Sequence, residues 1–159
     1  MTLPDYRIGS GWDSHQFVPG RPLWLGGLQL DHHAGLAGHS DGDVLLHAVC
    51  DALLGALGQG DIGTHFASSD PQWLNAPSER FLRHAVQLTH HAGWEIHNLD
   101  ANLILDQPRI QPLREQLREN IASLLGIPSD RVSVKAKTPE GLALPSTAIA
   151  QVVVLLRRG

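Results

Sequence analysis

The segment GSGWDSHQF, residues 9–17, constrains the fold more than any other stretch of the chain. In an extended backbone, side chains alternate between faces, so Gly9, Gly11, Asp13 and His15 share one face. That face is bare for two positions and then offers two metal-type ligands. A packed strand places apolar side chains where these glycines stand, whereas glycine inside a strand marks the close approach of a ligand or another backbone. Taken alone, Asp-x-His also fits a strand end running into a polar loop, and only a third ligand distinguishes the two readings.

The rest of the chain supplies partners for such a strand. With 159 residues, 42% of them hydrophobic, residues 1–159 can form one domain with a real core and no staples. Strands are predicted at 6–12 and at 22–30, the latter kinked or bulged at Gly26-Gly27. DHHAGLAG then reads as a loop. A first helix follows, with Ser40 as N-cap and Asp43 in a capping-box position, a buried stripe through Val44, Leu45, Ala48, Val49, Ala52 and Leu53, and an end at Gly58 and Gly60. A second helix is predicted over 78–91 and a third from Pro112 to Gly126. Further strands are predicted in IHNLDANLILD, RVSVKAK and AIAQVVVLL. The expected fold is α/β (α+β): a single domain whose mixed sheet carries about three helices on one face.

The first helix brings the third ligand. Asp43, His47 and Asp51 are spaced by four and form one ridge, which a buried helix face does not normally give to ionisable groups. If that ridge faces the first strand, His47 joins Asp13 and His15 in a His₂Asp set. Three nitrogen and oxygen ligands with a vacant fourth position are the pattern of a catalytic zinc site, where the metal acts as a Lewis acid. Asp43 and Asp51 are candidates to hydrogen-bond the ligating histidine and fix its tautomer. Helix capping for Asp43 and a solvated or ion-paired position for Asp51 are the alternatives.

Composition removes several function classes. A single cysteine excludes an internal disulfide framework. The formal charge of −4, with scattered basic residues, provides no footprint for a nucleic-acid duplex. No run approaches membrane-spanning length, and MTLPDYRIG lacks a basic segment followed by an apolar core, so the expected location is cytoplasmic.

These features together carry a resemblance. Gly9 to Phe17, HSDGDVLLHAVCDALLGALGQGDIGTHF at 39–66, SDP at 69–71 and KAKTPEGL at 135–142 resemble, in order and spacing, the 2-C-methyl-D-erythritol 2,4-cyclodiphosphate synthase family of the non-mevalonate isoprenoid pathway. The resemblance implies conversion of 4-diphosphocytidyl-2-C-methyl-D-erythritol 2-phosphate to the cyclic diphosphate and CMP, by attack of the 2-phosphate on the β-phosphorus. It implies one zinc per subunit on Asp13, His15 and His47, and a magnesium or manganese ion bridging the diphosphate through Glu140. His39 and Ser40 are implied to bind phosphate at the start of the first helix, which suits anions. His39 and Thr138 match transition-state stabilisers, and Lys137 and Pro139 stand beside the phosphates. Asp61, Ile62 and Gly63 match positions around the erythritol hydroxyls, and Phe66 to Asp70 a mobile segment over the same moiety. Leu105, Asp106, Gln107, Pro108, Arg109, Ile110 and Gln111 match the cytidine pocket, with Arg109 in place of the usual lysine. A homotrimer with active sites between subunits is also implied, with no nucleic-acid or membrane partner.

The chain departs from the family pattern at two places. Lys137-Thr138-Pro139 replaces a run of threonines, losing one backbone donor at Pro139 and gaining a charge at Lys137. ALPSTA at 143–148 is shorter than the family's usual segment near the threefold axis, so the anion or prenyl-diphosphate site suggested there for some members is not carried over. Glu140 in TPEG also reads as an ordinary turn acid, His39 as a loop histidine, Thr138 as a strand-end residue and GDIG as a helix-terminating loop. Two other functions remain compatible with the residues: a zinc hydrolase using Asp61 as base, and a noncatalytic nucleotide-binding or metal-storing protein.

Overall fold

A computed structural model describes residues 5–142 and 146–159. Residues 143–145 of the shortened ALPSTA segment lie outside the described residues.

The fold is organised around β7 (Thr147–Arg158), where strict alternation decides which side is covered. Ala148, Ala150, Val152, Val154 and Leu156 are fully buried, while Gln151 and Val153 between them, and Arg157 beyond, are exposed. β7 pairs antiparallel with β1 (Tyr6–Pro19) on one side and with β5 (Trp94–Ile104) on the other. β4 (Ala34–Leu36) extends the sheet beyond β1, and β6 (Val132–Lys137) runs parallel to β5 at the far edge. The order β4-β1-β7-β5-β6 is thus a mixed sheet, as expected.

Three long helices pack on the covered face: α1 (Val44–Leu57), α3 (Ser78–His91) and α4 (Arg114–Leu125). A single turn, α2 (Ile62–His65), adds a fourth helix that the sequence pattern did not indicate. The third long helix begins at Arg114, because Pro112 lies in a 3-10 turn at Gln111–Leu113. Apolar side chains of the sheet and of α1, α3 and α4 form one core, including Leu45, Leu53, Leu82, Leu103, Leu117 and Ile121. Among the described residues no helix is long and apolar enough to cross a membrane.

The bare face of β1 meets α1. A Cβ added to Gly9 would lie 1.8 Å from the Ala52 carbonyl oxygen, and one added to Gly11 1.8 Å from that of Ala48. Of the two neighbours expected at these glycines, a ligand or another backbone, the structure shows a backbone, that of the helix, which presents alanines at the crossing. β1 also continues to Pro19, past the end expected at residue 12.

The segment at 22–30 is a hairpin and not one kinked strand. β2 (Leu23–Leu25) and β3 (Leu28–Leu30) pair across Gly26 and Gly27, whose φ angles of 58° and 79° make a two-residue turn that favours glycine. Its two N–H groups donate to the Asp43 carboxylate at 2.9 and 2.7 Å, and Asn120 of α4 donates to the Gly26 carbonyl. The supposed loop 31–38 contains β4, held by pairing to the far end of β1.

Candidate metal centre and active site

The crossing of β1 over α1 brings three side chains together. Asp13 Oδ2 lies 2.8 Å from His15 Nε2 and 3.0 Å from His47 Nδ1, and the two histidine nitrogens are 3.2 Å apart. Among the described residues this is the one group of three such ligand atoms within 4.8 Å of one another. Donors bound at about 2.0–2.1 Å to one tetrahedral zinc stand roughly 3.3 Å apart, so the three atoms already have nearly the separation the ion requires. The donor set, one carboxylate and two imidazoles with no thiolate, fits zinc with a vertex left open.

The electrostatics agree with a cation. Burial opposes ionisation of Asp13, yet its hydrogen bonds with His15 and His47 outweigh that and hold its carboxyl well below the ordinary range. Burial also opposes charge on His47, but the hydrogen bond and negative charge of Asp13 prevail and raise its pKa.

The His47 ring is set from behind by serines, not by the carboxylates expected there. Nε2 lies 2.8 Å from Ser78 Oγ and 3.1 Å from Ser40 Oγ. Asp43 is instead fully buried as the N-cap of α1, accepting from Leu46 N at 3.0 Å as well as from the two hairpin glycines. Asp51 accepts from the Ile62 N–H at 2.8 Å, which ties α2 to α1, and burial raises its pKa. Ser40 is therefore not the cap. With Asp43 in place, the helix terminus expected to receive phosphate is filled by the protein's own carboxylate.

The metal ligands open into a pocket of about 400 Å³. His39, Ser40 and Asp51 contribute to its polar side, and Ile62, Gly63, Phe66, Ser68 and Ser69 form the wall opposite. His39 Nε2 lies 3.2 Å from the Asp70 carbonyl. Asp61 and Asp70, by contrast, do not line the pocket. Their carboxylates cap their own turns, Asp61 accepting from Thr64 and Asp70 from Gln72. Trp73 and Phe81, neither singled out as a site residue by the sequence, pack with Phe66 at ring distances of 5.0 and 4.6 Å and complete the wall.

The second group of candidates is elsewhere. Residues 105–111, with Lys137 and Thr138, enclose a separate pocket of about 350 Å³ at the ends of β5 and β6. It shares no lining residue with the metal pocket. Pro139 and Glu140 stand on the turn just beyond it, with Glu140 exposed and hydrogen-bonded by the Thr138 hydroxyl. One chain therefore carries both halves of the expected site without joining them.

The sequence model of the YgbB family matches residues 6–157. The chain belongs to the YgbB family. A relative from Koribacter versatilis (strain Ellin345), named 2-C-methyl-D-erythritol 2,4-cyclodiphosphate synthase, is 51% identical over 96% of this chain and 98% of its own. One of the same name from Aquifex aeolicus (strain VF5) is 47% identical over 96% and 97%. A solved 2C-methyl-D-erythritol-2,4-cyclodiphosphate synthase in a CDP-bound form superposes with a TM-score of 0.89 at 45% identity, covering 94% of this chain and 99% of that one. For a YgbB family member, the expected single domain with a mixed sheet is thus the family fold.

Proposed function

We propose that this chain converts 4-diphosphocytidyl-2-C-methyl-D-erythritol 2-phosphate to 2-C-methyl-D-erythritol 2,4-cyclodiphosphate and CMP, as a phosphorus–oxygen lyase of isoprenoid precursor synthesis. The observation that carries the reading is the convergence of Asp13, His15 and His47 on one point of a pocket, in a chain so similar to synthases of that name.

In the reaction an oxygen of the 2-phosphate bonds to the β-phosphorus while the bond from that phosphorus to the CMP oxygen breaks. Little covalent chemistry falls to the protein, whose task is alignment and charge neutralisation. Zinc on Asp13, His15 and His47, and magnesium or manganese held with Glu140, would supply Lewis-acid neutralisation of the phosphate oxygens. His39 and Ser40 stand at the metal pocket to donate to phosphate, and Ile62, Gly63 and Phe66 form the wall against which the methylerythritol folds. Thr138 and Lys137 present a hydroxyl and an ammonium beside the diphosphate, and Arg109 adds a guanidinium fork. Backbone groups of 105–111 read the cytosine.

The assembly is a homotrimer with one zinc per subunit, the metal pocket of one copy facing the nucleotide pocket of the next. Two observations support this: the separation of the pockets within one chain, and the helix-free side of the sheet, where Ile8 and Trp12 are 72% and 58% exposed. The lone cysteine, buried on α1, suits the reducing cytoplasm.

Phosphorus NMR of the protein with the cytidyl substrate, with and without a chelator, tests the reading. A cyclic diphosphate and CMP, lost on chelation, are expected; an open monophosphate or diphosphate would identify a hydrolase. Asp61 is poorly suited as the hydrolase base, since its hydrogen bonds with Thr64 lower its pKa. Replacing His47 with alanine should abolish cyclisation in a folded oligomer, and a fully active variant would remove His47 from the site.

A further inference from the structure

Asp41 and Ser78 are used by none of the chemistry above, yet they stand directly behind a metal ligand. Ser78 opens α3 and is wholly inaccessible to solvent. The Asp41 carboxylate accepts twice from this one residue: from its backbone N–H at 2.8 Å and from its hydroxyl. A serine hydroxyl has a single proton. With that proton committed to Asp41, the Ser78 oxygen can only accept along its 2.8 Å contact with His47 Nε2. The proton on the neutral His47 ring must then sit on Nε2, and the Nδ1 lone pair points forward to Asp13 Oδ2 and His15 Nε2.

We infer that Asp41 and Ser78 form a tautomer lock on His47, a pair of positioning residues that hold Nδ1 unprotonated for the metal. The inference rests on the zinc site proposed above and adds to it a reason for its affinity. Without the lock, His47 could place its proton on Nδ1 and donate it to Asp13 at 3.0 Å, satisfying both groups with no ion. With it, a lone pair faces a carboxylate, and a bound cation relieves the conflict. The Ser40 oxygen, 3.1 Å from Nε2, can accept from the same N–H but is not tied to a carboxylate. The two sides of the lock lie on different elements: Asp41 precedes α1 and Ser78 begins α3, so the docking of those helices sets the register of the relay.

Zinc affinity, measured by competition with a chromophoric chelator, and the His47 tautomer, read from long-range proton–nitrogen NMR of the metal-free protein under alkaline conditions, test the lock. Ser78→Ala and Asp41→Asn should each weaken zinc binding by about tenfold to hundredfold. In both, the neutral ring should move from the Nε2–H to the Nδ1–H form, and Ser78→Thr, which keeps the hydroxyl, should restore wild-type values. Asp41→Asn keeps the side-chain shape, so it answers the question if the alanine variant does not fold. Unchanged affinity in folded variants would overturn the inference while leaving the zinc site standing. Weakened binding with an unchanged tautomer would overturn it too, assigning the pair to packing alone. A wild-type protein that binds no zinc would instead remove the site itself.

Discussion

Asp43 is the residue on which the most backbone depends. Its carboxylate satisfies three N–H groups from two elements, so Asp43→Ala leaves the hairpin turn and the first turn of α1 without acceptors. A lost cap and unpaired buried donors together should cost about 3 kcal/mol, measured as a lower denaturant midpoint with unchanged slope. Cys50 behaves in the opposite way, making no demand on its surroundings. Burial on α1 pushes its thiol well above the ordinary range, with the charges of Asp51 and Asp43 adding to the effect. A group whose pKa is raised by folding stabilises the native state below its unfolded value and loses that contribution as pH rises toward the folded one. Stability should therefore fall as pH passes roughly 8.5, where an unfolded thiol ionises, and Cys50→Ala should flatten that decline in an alkaline denaturation series. The native thiol should also resist alkylation until the protein unfolds.

At the scale of elements, the contact between β1 and α1 is the decisive one. Gly11→Ala would drive a methyl group into the Ala48 carbonyl, and the strand must lift away from the helix to make room. A destabilisation of about 3 kcal/mol is expected, together with weaker zinc binding, because the same displacement parts Asp13 and His15 from His47. A variant that keeps both stability and affinity would contradict this account. Much of this contact was legible in the sequence. Two glycines ahead of Asp-x-His announced a ligand or another backbone at close range, and the four-residue spacing of Asp43, His47 and Asp51 placed a candidate ligand on a helix. Other elements left no such trace. β4 is three residues of Ala-Gly-Leu with no alternation to detect, and its pairing is with the distant end of β1. Gly26-Gly27 read as a kink or bulge in one strand and proved to be a hairpin turn, because the turn is held by Asp43, sixteen residues beyond Gly27. Asp41 and Ser78 were unreadable as partners of His47: only helix packing brings the start of α3 to the start of α1.

For the whole molecule, the proposed division of the site between copies yields a sharp expectation. Neither His47→Ala nor Glu140→Ala homotrimers should turn over substrate. Mixed and reassorted in equal amounts, they should recover about a quarter of wild-type activity, since each site takes one half from either of two neighbours. No recovery in proven mixed trimers would place the whole site within one chain. The exposed apolar face of the sheet should act independently of the chemistry. Ile8→Glu is expected to yield monomers by sedimentation that still bind zinc but do not cyclise substrate. The glycines of β1 have a consequence at this scale as well. Where two layers are separated by side chains, their spacing drifts as those side chains are exchanged for larger or smaller ones. Here a strand's main chain rests on helix carbonyls with no side chain between, so the distance from Asp13 and His15 to His47 is set by the contact of two backbones. Apart from the α1–α3 packing that sets Ser78 and Asp41 behind His47, the interior can be rewritten without parting the three ligand atoms.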